Sequence, residues 1–360
     1  MDRTVASSSS SHSSRQSIAS DMKAFLRKAK KKFEEKWSRN ISPKVATTDD
    51  FKSIKTVGTG HFGRVVFAQH RPSKRYYALK ILEKGKVIDS NQLQHVKNEK
   101  KILQCVHFPF LVTLKYNFKD NCNLYMALDF VPGGEMFSHL QHFRRFNENM
   151  ARFYTSQVVL SFEYLHHLGI IYRDLKPENL LLDSKGYLKI TDFGFAKKID
   201  NRRTWTRCGT TEYLAPEVVL RKGYSYSVDW WTVGILMYEM TNGQPPFKDK
   251  KPEDVYTKII AGKITYPAHM SRQLRSIISE FLKIDVTKRL GSRPTGGVED
   301  VKKHPFFVNI NWMAMLQKKY PAPIVPPLNG PTDTSNFPDY EELPILRSPN
   351  ELFSTEFEDF

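Results

Sequence analysis

Cysteine is nearly missing. Cys105, Cys122 and Cys208 are the three in 360 residues, and their spacing pairs none of them. That argues against a disulfide framework and a structural zinc site, and it points to a reducing compartment, cytoplasm or nucleus. Missing too is any apolar run of membrane-spanning length, and the first residues do not form a signal peptide. Residue 2 is Asp rather than Gly, so no N-myristoyl anchor is expected. Acidic residues are outnumbered, 38 against 55 Lys and Arg, for a formal charge of +17. Such an excess suits polyanion partners: nucleic acid, acidic membrane or nucleotide phosphate. Its distribution argues against nucleic acid. Residues 1–44 hold eleven basic and four acidic side chains, residues 328–360 one basic and eight acidic, and the middle carries its excess thinly.

What is present suits a soluble globular chain of one large domain or two lobes: 40% hydrophobic and 12% aromatic residues. Residues 1–20 are Ser-rich, nearly without apolar content, and read as disordered. In residues 21–37, Met22, Phe25, Leu26, Ala29, Phe33 and Trp37 recur at helical spacing opposite a Lys/Arg face, with Asp21 as a cap. Such a helix can lie on a membrane, bind a partner or pack on its own protein; packing is favoured because it leads directly into a folded domain. With its linker it occupies 21–44. Residues 51–131 read as short β-rich runs with one helix at 91–103, residues 132–305 as mainly helical, and 306–360 as a tail that turns Pro-rich and then acidic.

Five stretches carry chemistry. Gly58-Thr59-Gly60-His61-Phe62-Gly63-Arg64-Val65 places its glycines between two strands, in a hairpin rather than the strand-to-helix turn of a dinucleotide site. Such a hairpin can press backbone amides against phosphates. Lys80 lies between Leu79 and Ile81, costly unless paired, and Glu99 in the following helix can pair it. Tyr172–Asn179, a polar octet between Ile170-Ile171 and Leu180-Leu181-Leu182, is either a solvated turn between buried strands or a catalytic loop. Within it Asp174 can accept a proton, and Lys176 can stabilise charge on a transferring phosphoryl group. Asn179 and Asp192, the latter opening Asp192-Phe193-Gly194, offer oxygen ligands for Mg²⁺. The fifth stretch is Ala215-Pro216-Glu217.

In order and context these stretches resemble the protein-kinase signature set. The branch they are most similar to is the cAMP-dependent protein kinase catalytic subunits, in the AGC group with protein kinases B, C and G. FLRKAKKKFEEKW, PGGEMFSHL, CGTTEYLAPE, GYSYSVDWW, DTSNF and Phe357-Glu358-Asp359-Phe360 resemble that branch, and so does Tyr172, where many kinases have His. The resemblance implies an α+β bilobal kinase fold: a small β-rich lobe at 51–131, a larger mainly helical lobe at 132–305, and a tail at 306–360 whose terminal Phe-x-x-Phe docks on the small lobe.

It implies Ser/Thr phosphorylation from ATP and Mg²⁺ on Arg-Arg-x-Ser/Thr motifs. Asp174, Lys176, Lys80 and Thr210 would be catalytic, with Asn179 and Asp192 on metal. Val57 and Gly58 to Val65, Ala78, Glu99, Leu128, Asp129 and Leu181 would surround ATP. Glu135, Glu178 and Glu239 would bind substrate arginines. Thr206, facing Arg173, Lys197 and His95, and Ser348 would be phosphorylation sites. A cAMP-binding regulatory subunit, meeting Arg203 and Trp205, and a pseudosubstrate inhibitor protein are the implied partners, with no nucleic acid expected. One departure stands out. Of the pocket for the residue after the target Ser only Leu214 is kept; Arg207 and Thr211 stand where the family usually has Leu and Pro. That change weakens a preference for an apolar residue or invites an acidic one.

Overall fold

The computed structural model describes residues 6–39, 46–200 and 202–360. Its small lobe is an antiparallel sheet built from β1 (Phe51–Gly60), β2 (Gly63–His70), β3 (Tyr76–Glu83), β4 (Leu114–Lys119) and β5 (Asn123–Asp129), in the order β1-β2-β3-β5-β4. Alternation decides its faces. Leu79 and Ile81 pack with Phe51, Val66, Tyr77, Phe118 and Tyr125 in a core of their own. Lys80, one step out of phase, faces the other way. Between β3 and β4 run α2 (Lys84–Asp89) and α3 (Leu93–Cys105). β4 was not expected from the sequence: its Lys115, Asn117 and Lys119 interrupt the β-rich pattern, and its identity comes from pairing with β5.

The larger lobe holds α4 (Met136–Phe143), α5 (Glu148–His167), β6 (Ile170–Ile171), β7 (Leu180–Leu182), β8 (Leu188–Ile190), β9 (Lys197–Lys198), α6 (Pro216–Val219), α7 (Ser227–Asn242), α8 (Pro252–Ala261), α9 (Arg272–Phe281), α10 (Val298–Lys303) and α11 (Trp312–Leu316). Asn147 caps α5 by accepting from the Met150 amide at 3.0 Å. Helix α7 is buried almost throughout, Trp230 and Trp231 included. The apolar flanks of the polar octet are short paired strands, β6 with β9 and β7 with β8. Part of the simple reading of that stretch therefore holds: it is a turn hung between buried strands.

Helix α1 (Ala6–Ser38) begins at Ala6 rather than at Asp21. It takes in most of the run that composition marks as disordered, and Asp21 lies inside it rather than at its cap; residues 1–5 are outside the described residues. Residues 6–20 contain no Gly or Pro to stop a helix once 21–37 has nucleated it, and each Ser costs only about 0.5 kcal/mol against Ala. The stripe packs on the protein, as favoured. Met22, Leu26 and Phe33 are buried, Phe33 stacks on Trp37 at 5.3 Å, and Lys101 from α3 sits over the Trp37 ring at 4.5 Å.

After Leu316 no helix or strand occurs among the described residues. The tail crosses the large lobe, where the Ile324 carbonyl comes so close to Gly186 (φ +80°) that a Cβ there would lie 1.9 Å from it. It then passes β1 and ends on the small lobe. Phe357 is fully buried there, and Lys100 of α3 lies over the Phe360 ring at 4.8 Å.

Candidate active site

A cleft of about 480 Å³ opens between the lobes. The β1–β2 hairpin roofs it with Val57 through Val65. At Gly63 a Cβ would lie 1.9 Å from the Ile81 carbonyl, so only glycine lets the hairpin close onto β3; at Gly58 a Cβ meets only Val65, at 3.7 Å. Gly63 is thus needed by the fold, and Gly58 leaves space beneath the roof. Ala78, Leu128, Asp129 and Leu181 supply the inner walls, as expected.

At the back, Lys80 Nζ lies 2.7 Å from Glu99 Oε1 and 3.5 Å from Asp192 Oδ1. Burial by itself would lower the Lys80 ammonium; Glu99 and then Asp192 outweigh it and hold it above its ordinary range. Lys80 in turn pulls the Asp192 carboxyl below its usual value, against burial. Asp192 sits at φ +53° and accepts from the Gly194 amide at 3.2 Å, which turns its carboxylate into the cleft beside Asn179.

The polar octet folds around Asp174. Oδ1 accepts from the Thr210 hydroxyl at 3.1 Å; Oδ2 accepts from Asn179 Nδ2 at 2.9 Å and pairs with Lys176 Nζ at 3.1 Å. Lys176 also donates to Thr210 Oγ1 at 3.1 Å. Asn179 Nδ2 reaches the Asp174 carbonyl too, at 2.8 Å, so its amide nitrogen is spent on Asp174 and its oxygen is the end left for a ligand.

The residue that holds this loop was missed in the sequence. Asp229 of α7, fully buried, accepts from the backbone amides of Tyr172 (3.0 Å) and Arg173 (2.9 Å) and meets His166 Nε2 at 2.7 Å. The signal was an Asp within the apolar run SVDWW. Tyr172 donates its hydroxyl to the Thr191 carbonyl at 2.5 Å, just ahead of Asp192, tying the two loops together. Phe337 of the tail also lines the cleft, a place that the motif DTSNF does not reveal in sequence. Glu217 of Ala215-Pro216-Glu217 finds a buried two-point partner in Arg289, at 2.6 and 2.9 Å.

Of the expected substrate-side residues, Glu135 and Glu178 line the mouth of the cleft; Glu239 and Leu214 lie outside it. Burial, and then the neighbouring Glu178, raise the Glu135 carboxyl. Glu239 accepts from the Tyr213 hydroxyl at 2.5 Å, and burial pushes it up to about 7, with Glu178 and Glu212 adding to the effect.

Thr206 is exposed, and its carbonyl accepts from Tyr224, whose hydroxyl also receives Arg173 at 3.1 Å. The His95 imidazole is lowered by burial and then by the charges of Arg173 and Lys197 nearby. Arg203 is exposed, and Trp205 stands 65% exposed against Gly223. Ser348 lies far from the cleft, its hydroxyl donating to Asn350 O at 2.8 Å.

Comparison with known proteins follows this geometry. The protein kinase domain family matches residues 51–307. The cAMP-dependent protein kinase catalytic subunit PRKX of Homo sapiens is 48% identical over 83% of this chain and 83% of its own length. The cAMP-dependent protein kinase catalytic subunit 3 of Drosophila melanogaster is 49% identical over 82% of this chain, and the Dictyostelium discoideum catalytic subunit 44% identical over 83%. The chain spans 50% and 46% of those two proteins' own lengths.

Proposed function

We infer the reaction from a plain premise: the chain belongs to the protein kinase family, and is a serine/threonine kinase of the cAMP-dependent catalytic-subunit type that works with ATP and a divalent metal. On that premise it transfers the γ-phosphoryl group of ATP to Ser or Thr in Arg-Arg-x-Ser/Thr motifs. The carrying observation is the clamp on Asp174, whose two oxygens are held by Thr210, Asn179 and Lys176.

The donor set fits Mg²⁺. Among the described residues no three His, Cys, Asp or Glu side chains gather as a metal cage. Asp192 and the Asn179 oxygen are hard ligands that leave positions for phosphate oxygens. Bound there, Mg²⁺ neutralises charge on the phosphates. The chain's own residues do the rest. The amides of the β1–β2 hairpin and Lys80 hold the phosphates, with Glu99 fixing the lysine. Asp174 Oδ1, with a single donor on it, keeps a lone pair for the acceptor hydroxyl. As the acceptor oxygen bonds to the γ-phosphorus and the bond to the ADP oxygen breaks, the hydroxyl proton passes to Asp174. Lys176 faces the charge that develops.

Glu135, Glu178 and Glu239 supply carboxylates for substrate arginines, in two-point pairs. The same acids would receive a cAMP-binding regulatory subunit and a pseudosubstrate inhibitor protein, the former also meeting Arg203 and Trp205. A phosphate on Thr206 would satisfy Arg173, Lys197 and His95, which otherwise repel one another. Ser348 is the second proposed phosphorylation site, and cytoplasm and nucleus are the proposed compartments.

The test is phosphate transfer from Mg-ATP to an Arg-Arg-Ala-Ser-Leu peptide. Asp174→Asn, which keeps the shape and removes the base, is expected to lower kcat by at least about a hundredfold while nucleotide still binds. Equal rates in the two proteins would remove Asp174 from the chemistry.

A further inference from the structure

We propose that Arg207 makes this kinase select a carboxylate side chain on the residue that follows the target Ser or Thr. The inference rests on the transfer reaction above and adds the substrate class. An acceptor hydroxyl must reach Asp174, and Thr210, 3.1 Å from that carboxylate, belongs to the wall beside which it arrives. Arg207 stands on the same segment, outside any helix or strand, and is exposed. Its guanidinium carbon lies 4.4 Å from the centre of the Tyr256 ring of α8.

A guanidinium over a ring has five N–H groups, more than the ring can engage, and so keeps donors for an anion. Among the described residues no carboxylate lies within ion-pair reach of Arg207, although 38 acidic residues are available in the chain. A cation held over an aromatic ring, without a carboxylate partner among the described residues, is a preformed receptor for one.

Direction follows from the acids. Glu135 and Glu178 line the cleft mouth and take the arginines that precede the target. Arg207 does not line the cleft and lies toward α8. A peptide whose arginines meet those glutamates and whose Ser reaches Asp174 would carry its next residue toward the Thr210 segment, on which Arg207 stands. An apolar residue there finds little to touch, because Leu214 is 94% buried and Arg207 covers Tyr256. Thr211, half-buried on the same segment, adds a second polar side chain.

The experiment measures kcat/KM for Arg-Arg-Ala-Ser-X peptides with X as Leu, Glu, Gln and Lys, in the wild-type chain and in Arg207→Leu, Arg207→Lys and Arg207→Glu. Expected for the wild type is Glu above Gln and Leu by about tenfold, the worth of one charge-assisted contact, with Lys last and the advantage shrinking in high salt. Arg207→Lys should keep part of the advantage, Arg207→Leu should favour Leu, and Arg207→Glu should favour Lys. Leu at or above Glu in the wild type, or a Glu/Leu ratio that Arg207→Leu leaves unmoved, overturns the proposal with the kinase reading intact. No transfer to any peptide overturns that reading, and this one with it.

Discussion

Glu239, proposed above to meet a substrate arginine, is also a buried carboxyl. Its carboxyl titrates near 7, against an ordinary value of 4.5, because burial penalises the charge and Glu178 and Glu212 repel it; the Tyr213 hydroxyl opposes both. It is therefore neutral in mild acid and charged above about pH 7. An arginine pairs with the charged form. The KM of an Arg-Arg peptide is expected to fall as pH rises from 6 to 8, and Glu239→Gln should flatten that profile. Stability runs the other way. Between 4.5 and about 7 the folded chain holds a proton the unfolded chain has lost, so native stability falls as pH rises through that window. A series of melting curves across it should slope downward in the wild type and less so in the Gln variant.

Among the elements, α1 is the clearest case of an amphipathic stripe spent on the protein's own core. Phe33 is 1% exposed and stacks on Trp37, which Lys101 covers in turn. Phe33→Ala should cost about 3 kcal/mol, read as a lowered denaturation midpoint with far-UV helicity lost mainly from this helix. The stripe was legible because its period is helical, and strands β1, β2, β3 and β5 because their runs are β-branched and aromatic. The signature residues of the cleft were legible as well: the resemblance to the kinase signature set assigned Gly58 to Val65, Lys80, Glu99, Asn179 and Asp192 to one site, and they line one cleft. What stayed hidden depends on partners far along the chain. Strand β4 needs β5 beside it; Asp229 reads as one polar residue in a buried helix until Tyr172 and Arg173 are seen to donate to it. The first half of α1 was hidden for another reason: serine composition reports a weak local preference, which a nucleated helix overrides.

At the scale of the whole molecule, the tail straps the lobes together. Asn336 donates to the Pro132 carbonyl at 3.1 Å, Phe337 approaches Phe130 at 5.6 Å and enters the cleft wall, and Glu342 accepts from the Thr56 hydroxyl at 2.7 Å. Beyond them Lys84, fully buried in α2, donates to the Leu352 carbonyl at 3.2 Å. Each lobe therefore limits how far the other can open. Phe337→Ala should raise the KM for ATP about fivefold to tenfold, the worth of one aromatic contact, while kcat for a saturating peptide stays near that of the wild type; nucleotide titrations of both proteins give the comparison.

The strap also sets an order of completion during synthesis. Chains leave the ribosome N-terminal end first and fold domain by domain. The glycine hairpin, Lys80 and the Asp174 loop all emerge before Phe337, and the anchor at Phe357 emerges later still. A nascent chain thus holds every reactive side chain of the site before it has the wall that closes the nucleotide in. Until the strap has been made, the growing site stays open on the side that Phe337 will cover.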